Sequence, residues 1–328
     1  MAIPLEPVGA MPQPGLPEKL RRRLWGLSLA TFLSVLLVNT LGFTDTVTGS
    51  ALGCGRQWPL CNGQVVPTHW SLQVWIEYTH RLSVLLDMVF FVLLAGALLR
   101  YGRKNRTLML CLGLLAAGVV LESVLGALAV LFSNPPAIMA AHVSIALLSF
   151  VGTFLLVLFL RPRQMPSGQA AVSWVNPTQA ARKLARVRHS ATVTAVYVYL
   201  AMYVGAYAAS TGWGSEFRGW PLPLESPAQV GAAFWLDVLH RLVALGMVGL
   251  ILYLVYLTRQ LNQWRRELYT ASRWMLALVL LQALSGGVLI ATHIAPWAFI
   301  IHVTVVSFLL AVACYLALQV RRNPHFDV

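Results

Sequence analysis

Eight apolar runs dominate this sequence, each close to or longer than the ~20 residues that a helix needs to cross the hydrocarbon core of a bilayer. The 328-residue chain is 58% apolar and 11% charged, well outside the range of soluble globular proteins. The sequence therefore predicts an all-α integral membrane protein with eight transmembrane helices. The runs cover approximately residues 24–43, 71–99, 107–131, 137–160, 190–209, 231–257, 274–292 and 297–320.

Basic residues lie between these runs on alternate sides of the predicted membrane. Of the 24 Lys and Arg, 20 fall in five clusters, whereas the opposite loops contain only Arg56 and Arg218. The positive-inside rule places the clusters and both termini in the cytoplasm. It also explains the net charge of +13 without nucleic acid, which would need a basic surface interleaved with aromatic residues. The clusters are 19–23, 100–106, 161–188, 259–273 and 321–322, and the loops predicted to face outside are 44–70, 132–136, 210–230 and 293–296.

Histidines at a constant spacing indicate an internal repeat. His80 and His142 recur as His240 and His302 with the same shift of 160 residues. We therefore predict two similar four-helix halves, each with two intramembrane histidines. The predicted units are a mobile cytoplasmic tail (1–20), an N-terminal half (21–160), a cytoplasmic linker (161–189), a C-terminal half (190–322) and a second tail (323–328).

The four histidines suit haem ligation. Each is predicted to lie toward the outer leaflet, and helices two and four of each half run in the same direction. One histidine from each helix can therefore clamp a b-type haem between them. A single membrane histidine is more often bonded to a neighbouring helix, but two pairs with one spacing favour haem. Zinc is disfavoured, because no third or fourth ligand clusters with either pair.

Each half also carries an acid and an arginine beside its first histidine. In both segments the acid precedes the histidine by one helical turn. Ionisable groups are costly inside a membrane and mark functional sites there. For Arg81 and Arg241 two interpretations stay open: a salt bridge to haem propionates, or pairing with a nearby acid. The segments are Glu77-Tyr78-Thr79-His80-Arg81 and Asp237-Val238-Leu239-His240-Arg241.

The first outer loop contains Cys54 and Cys61, and the second-half loop contains no cysteine. Two cysteines this close on an oxidising face favour a disulfide over a metal site. The bond either staples the loop or exchanges with a partner thiol as a redox handle. Cys111 and Cys314 lie within predicted helices, where a small apolar filler is the expected role.

The halves differ in their intramembrane carboxylates. The first half contains Asp87 and Glu122, and the shift of 160 residues replaces them by Met247 and Gln282. Asp87 follows His80 by seven residues and so shares its helix face, where it can support the ligand or belong to a proton path. The chemically richer half is therefore the first.

Several motifs together resemble the bacterial haem A synthase family, which is related to the mitochondrial cytochrome oxidase assembly enzyme. The resemblance covers about residues 20–322 and includes the eight spans and the four histidines. The motifs that carry it are Thr48-Gly49-Ser50, Cys54, Trp58-Pro59-Leu60-Cys61-Asn62-Gly63 and Glu77-x-x-His80-Arg81.

The resemblance implies oxidation of the C8 methyl of haem O to a formyl group by successive hydroxylations, giving haem A for terminal oxidases. It implies that His80 and His142 hold the substrate haem, that Glu77 is the catalytic carboxylate, and that His240 and His302 bind haem b. It also implies a multi-pass protein of the cell membrane whose partners are haem O synthase and oxidase assembly factors. An unactivated methyl needs iron-based oxidation, and a desolvated Glu77 can shuttle protons or stabilise a cationic intermediate.

Two other functions are compatible with part of this pattern. A dihaem electron-transfer cytochrome b would pass electrons between quinol and a partner, but a transmembrane wire needs haems near opposite faces. A haem carrier or assembly chaperone would need one exchangeable site and no carboxylate beside the iron. The common depth of the histidine pairs disfavours the first, and Glu77 with the asymmetry of the halves disfavours the second.

Overall fold

A computed structural model of the chain describes residues 16–162 and 177–322. These ranges contain eight long helices, each long and apolar enough to cross a membrane by length and composition. The same ranges hold no β-strand, only an isolated bridge between Cys61 and Gln64. The predictions of an all-helical chain and of eight spans are confirmed. The helices are α1 (Glu18–Val47), α2 (Leu72–Tyr101), α3 (Arg106–Leu131), α4 (Pro136–Leu160), α5 (Pro177–Ser210), α6 (Ala232–Arg259), α7 (Arg266–Ala291) and α8 (Pro296–Gln319).

Local sequence signals set the helix starts that position the site. Ser71 caps α2 by accepting a hydrogen bond from the Val74 N–H, as an N-cap serine does. Helices α4 and α8 begin with Pro136 and Pro296, whose fixed φ suits the first helical position. The even-numbered helices therefore start at one end of the bundle, next to two long loops at 48–71 and 211–231.

Three helices begin earlier than their apolar runs. Helix α5 starts at Pro177, so residues 177–189 of the predicted linker are helical. The reason is that Ala, Arg, Lys and Gln, which fill this stretch, are strong helix formers, and leaving the hydrocarbon does not end a helix. Helices α1 and α7 extend in the same way. Residues 163–176 of the predicted linker, and residues 1–15 and 323–328 of the predicted tails, lie outside the described residues.

The core of the bundle lies where α1, α4, α5 and α8 pack together, and α2, α3, α6 and α7 flank it. Phe32 of α1, Phe150 and Phe154 of α4 and Phe308 of α8 form an aromatic cluster at this centre, with ring centroids 5.2 to 6.4 Å apart. Such tilted and edge-on arrangements are favourable for aromatic rings. Each pair of histidine-bearing helices thus joins one central helix, α4 or α8, to one flanking helix.

Arginine side chains cap the C-terminal ends of two helices, on the side of the bundle opposite the long loops. Arg21 donates from Nη2 to the Phe159 carbonyl at 3.1 Å, and Arg265 donates from Nη2 to the Gln319 carbonyl at 2.8 Å. The last carbonyls of a helix have no partner within the helix, and a basic side chain satisfies them. The positive clusters of the sequence thus cap the C-terminal ends of α4 and α8.

Candidate functional site

All four candidate ligand histidines lie near the long loops. His80 and His240 follow the first residues of their helices, Leu72 and Ala232, by eight positions. His142 and His302 follow theirs by six positions. At about 1.5 Å per residue, these histidines are roughly 12 Å and 9 Å along their helices. The four rings therefore occupy one level of the bundle.

The histidines form two pairs, one in each half. His80 lies within electrostatic range of His142, and His302 lies within electrostatic range of His240. The members of each pair come from different helices, α2 with α4 and α6 with α8. The spacing pattern of the sequence and the structure therefore give the same pairs.

Every one of the four histidine rings faces a glycine of a neighbouring helix. A methyl group added to the glycine would meet Cε1 of the ring at 3.0 to 3.3 Å, closer than side chains normally pack. Glycine lets the helix backbone approach the imidazole and leaves the ring little freedom to tilt. The contacts are Gly42 with His80, Gly126 with His142, Gly205 with His240 and Gly286 with His302.

The hydrogen bonds of the rings suit iron ligation. His142 Nδ1 lies 3.1 Å from the Glu122 carbonyl, and His302 Nδ1 lies 3.0 Å from Ser285 Oγ. A ligand histidine commonly donates one N–H to such an acceptor and binds metal through the other nitrogen. His80 Nδ1 and His240 Nδ1 are buried without a hydrogen-bond partner in the described structure. The donor set therefore fits two bis-histidine haems, for which Nε2 of His142 and of His302 would be the nitrogen that binds iron.

Gln282 contacts the second pair directly. Its Nε2 lies 2.9 Å from Nε2 of His302. Ligation of iron by this nitrogen would replace that hydrogen bond. In the first half the same position is Glu122, whose side chain points to Ser149 Oγ at 3.4 Å and not to the histidine.

The acid and arginine of each half anchor a long loop. Arg81 donates from Nη2 to Glu77 Oε1 at 2.5 Å and from Nη1 to the Leu60 carbonyl at 2.9 Å. Arg241 donates from Nε to Asp237 Oδ2 at 2.6 Å and from Nη1 to the Pro221 carbonyl at 2.7 Å. Both arginines thus make the acid pairing that the sequence left open. Propionate contact stays a prediction.

Glu77 is also held by the loop that the cysteines close. Cys54 and Cys61 form a disulfide, which confirms that prediction. The Cys54 N–H donates to Glu77 Oε2 at 2.6 Å, and Glu77 is only 2% exposed. Each carboxylate oxygen of Glu77 therefore has a strong donor, which fixes the side chain between the loop and Arg81.

A second acid, which the sequence reasoning missed, lies at this corner of the first half. Asp45 of α1 is buried, lies within electrostatic range of Glu77 and Arg81, and its Oδ1 has no hydrogen-bond partner among the described residues. It follows the ring-contacting Gly42 by three residues, so both share a helix face. The signal in the sequence that could have identified Asp45 is its spacing of three residues from Gly42 on the same helix.

The fold and the site together define a class: polytopic helical proteins in which two pairs of helix-borne histidines lie at one level of the bundle. Residues 25–314 match the COX15-CtaA family of cytochrome oxidase assembly proteins. The chain belongs to this family.

Relatives of known name support the same assignment. Heme A synthase of Geobacillus kaustophilus (strain HTA426) is 30% identical over 314 residues, which cover 93% of this chain and 95% of the relative. Heme A synthases of Bacillus cereus (strain 03BB102) and Bacillus mycoides (strain KBAB4) are 28% identical with the same coverage. The similarity thus extends through both halves.

Proposed function

We propose that this protein is a haem A synthase, which oxidises the C8 methyl of haem O to a formyl group through successive hydroxylations. The observation that carries the proposal is the pair of bis-histidine arrangements in a chain whose relatives are named heme A synthase. The product, haem A, serves terminal oxidases. Haem O synthase and oxidase assembly factors are the partners of such a reaction.

The two halves take different roles in this proposal. His80 and His142 hold the substrate haem, and His240 and His302 hold a resident haem b that passes electrons. The common spacing of 160 residues supports an internal repeat of residues 21–160 and 190–322. The buried acids Asp45, Asp87 and Glu77 occur on the substrate side, where a reaction rather than electron transfer alone has to be supported.

A bound haem supplies the iron chemistry that an unactivated methyl requires and that side chains lack. The residues of this chain hold the haem, orient its histidine ligands and shield the Glu77 carboxylate from water. The glycines bring the helix backbone against the imidazoles, and Arg81 with the Cys54 N–H holds the Glu77 carboxylate at one place. A carboxylate fixed one helical turn from a ligand histidine can accept or return a proton at Oε1 or Oε2. The loop above it excludes bulk water from the carboxylate.

The basic clusters support a cell-membrane protein with both termini in the cytoplasm and with the histidine level toward the outer face. In this orientation the long loops, including the disulfide, are outside. The cysteines then lie in an oxidising compartment, where a disulfide persists.

The proposal is tested by extracting haems from membranes that contain this protein together with a haem O synthase. Mass analysis should find haem A or its hydroxylated precursor with the wild-type chain. Glu77→Gln should accumulate haem O, because the carboxylate is lost while its size and hydrogen bonds to the loop are nearly kept.

Asp237→Asn is the matched control, because it makes the corresponding change in the half assigned to haem b. It should still produce haem A. If haem O stays untouched by the wild-type chain while haem b is bound, the protein is an electron-transfer cytochrome. If Glu77→Gln converts haem O at the wild-type rate, the catalytic role of Glu77 is wrong.

A further inference from the structure

One side of the first half is open where the corresponding side of the second half is closed. Helices α1 and α2, α3 and α4, and α1 and α4 pack closely, but α2 and α3 barely touch although a short turn joins them. In the second half, α6 and α7 pack about as closely as α5 and α8 do. The first half is therefore two helix pairs with a lateral opening between α2 and α3.

Two carboxylates border this opening. Asp87 of α2 and Glu122 of α3 lie within electrostatic range of each other. The corresponding residues of the closed side, Met247 and Gln282, are both buried. Two charged carboxylates within electrostatic range repel each other, whereas a methionine side chain fills space. The two halves thus differ at these positions as well as in helix packing.

Each carboxylate faces a serine of its own helix pair. Ser149 of α4 donates to Glu122 Oε2 at 3.4 Å, and Ser34 of α1 faces Asp87. Yet Ser34 Oγ and Asp87 Oδ1 are both buried with no partner at hydrogen-bond distance among the described residues, and Asp87 is 8% exposed. Buried polar atoms without partners are costly, so these atoms point to a polar group supplied by a ligand.

The opening also adjoins the candidate ligand of the substrate haem. The Glu122 carbonyl bonds to His142 Nδ1, so the residue that borders the opening with its side chain supports the ligand with its backbone. Haem O differs from haem b by one substituent, a long prenyl chain whose first carbon carries a hydroxyl group. An apolar chain suits a slot that opens to lipid, and its hydroxyl needs an acceptor inside the membrane.

We propose that the α2–α3 opening, which Glu122 also borders, receives the hydroxylated prenyl substituent of haem O, and that Asp87 Oδ1 accepts the hydrogen bond of its hydroxyl. This assignment rests on the proposed function and adds the reason why the first half takes haem O while the second half takes haem b. Selectivity arises because a buried acceptor is left without a partner when the substituent is a vinyl group.

The test is a spectroscopic titration of protein purified with its second-half haem b, adding haem O or haem b and measuring the affinity of the first half for each. Asp87→Met combined with Glu122→Leu should weaken haem O binding about 10-fold and leave haem b binding unchanged. Asp87→Asn combined with Glu122→Gln should retain most of the preference, since amide oxygens still accept a hydrogen bond.

Leu86→Met combined with Ser123→Gln provides the matched control, because these exposed neighbours lie on the same two helices. The control should bind both haems as the wild type does, and retained haem b reports that each variant is folded. Equal loss of affinity for both haems in the Met/Leu variant, or an unchanged preference for haem O, would overturn the proposal. Because binding is measured without turnover, a chain that prefers haem O but does not convert it would refute the proposed function alone.

Discussion

In the first half, the acid before the ligand histidine accepts hydrogen bonds from both its arginine and the loop backbone, whereas in the second half the described hydrogen bonds of the corresponding acid come from its arginine alone. Glu77 accepts from Arg81 and from the Cys54 N–H, and Asp237 accepts from Arg241. The arginine, the loop carbonyl and the glycine behind the histidine are common to both halves. Shared features of this kind serve what both halves do, which in the proposed function is to hold a haem.

The features found in the first half alone are three further carboxylates and the opening between α2 and α3. Asp45, Asp87 and Glu122 all belong to the first half, and α2 and α3 stand apart there. Burying acids in a membrane is expensive and is tolerated where function requires it. The comparison therefore teaches that the haem-holding frame can be separated from the features that make one half a reaction site.

The largest expected effect comes from removing one ligand in each half. His302→Ala should remove the resident haem b and, with it, haem A formation, because a bis-histidine site loses half of its ligands. His142→Ala should keep the haem b absorbance but abolish haem O conversion. Absorption spectra of the purified proteins and haem extraction from membranes measure the two outcomes. Loss of resident haem b in His142→Ala would reverse the assignment of the halves.

An effect of intermediate size is expected at the glycines that face the rings. Gly42→Ala and Gly205→Ala would each place a methyl group 3.0 Å from an imidazole carbon. Overpacking of this kind costs about 1–3 kcal/mol, so we expect roughly a 10-fold loss in each case. Gly42→Ala should reduce haem O conversion, and Gly205→Ala should weaken haem b binding. Gly286→Ala, where the contact is 3.3 Å, serves as the milder comparison.

If Gly42→Ala lowered the haem b content instead, the separation of the two sites would be wrong. The measurement is the ratio of haem b to protein together with the rate of haem A formation. A uniform loss in all three variants would indicate that these glycines serve helix packing and not the position of the rings.

The sequence was sufficient to predict the transmembrane helices and the histidine pairs, but not several of the contacts around them. Apolar length predicts the spans, and histidine spacing predicts the pairs, because both depend on helical geometry alone. The Gly42 and Gly205 contacts were not predicted, since they are related by a shift of 163 residues and not 160. The loop that follows each glycine, 48–71 or 211–231, differs in length by three residues, and this difference hides their equivalence. The Cys54 N–H bond to Glu77 depends on loop conformation, which residue type alone does not specify.

The start of α5 ahead of its apolar run has a similar cause. The sequence marks where hydrocarbon ends, and α5 continues past that point because its residues favour a helix in water as well. The α2–α3 opening was not predicted either. It depends on how far apart two helices stand, and the only trace in the sequence is the replacement of Met247 and Gln282 by Asp87 and Glu122.

The smallest expected effect concerns the hydrogen bond that orients His302. Ser285 Oγ lies 3.0 Å from Nδ1 of this ring, and the position one repeat earlier is Leu125, so the first half uses the Glu122 carbonyl instead. Ser285→Ala should weaken haem b binding by about 10-fold or less and change its reduction potential, because such bonds set ligand orientation and basicity. Haem O binding by the first half should not change.

Ser123→Ala is the control, because Ser123 is exposed and its hydroxyl bonds to its own helix; redox titration is the measurement. A backbone carbonyl cannot be removed by substitution, so the two halves differ in how readily evolution can retune them. An unchanged reduction potential in Ser285→Ala would mean that the Ser285 hydrogen bond does not affect the electronic properties of the His302 ligand. The reduction potential of the second haem would then have to be set by Gln282.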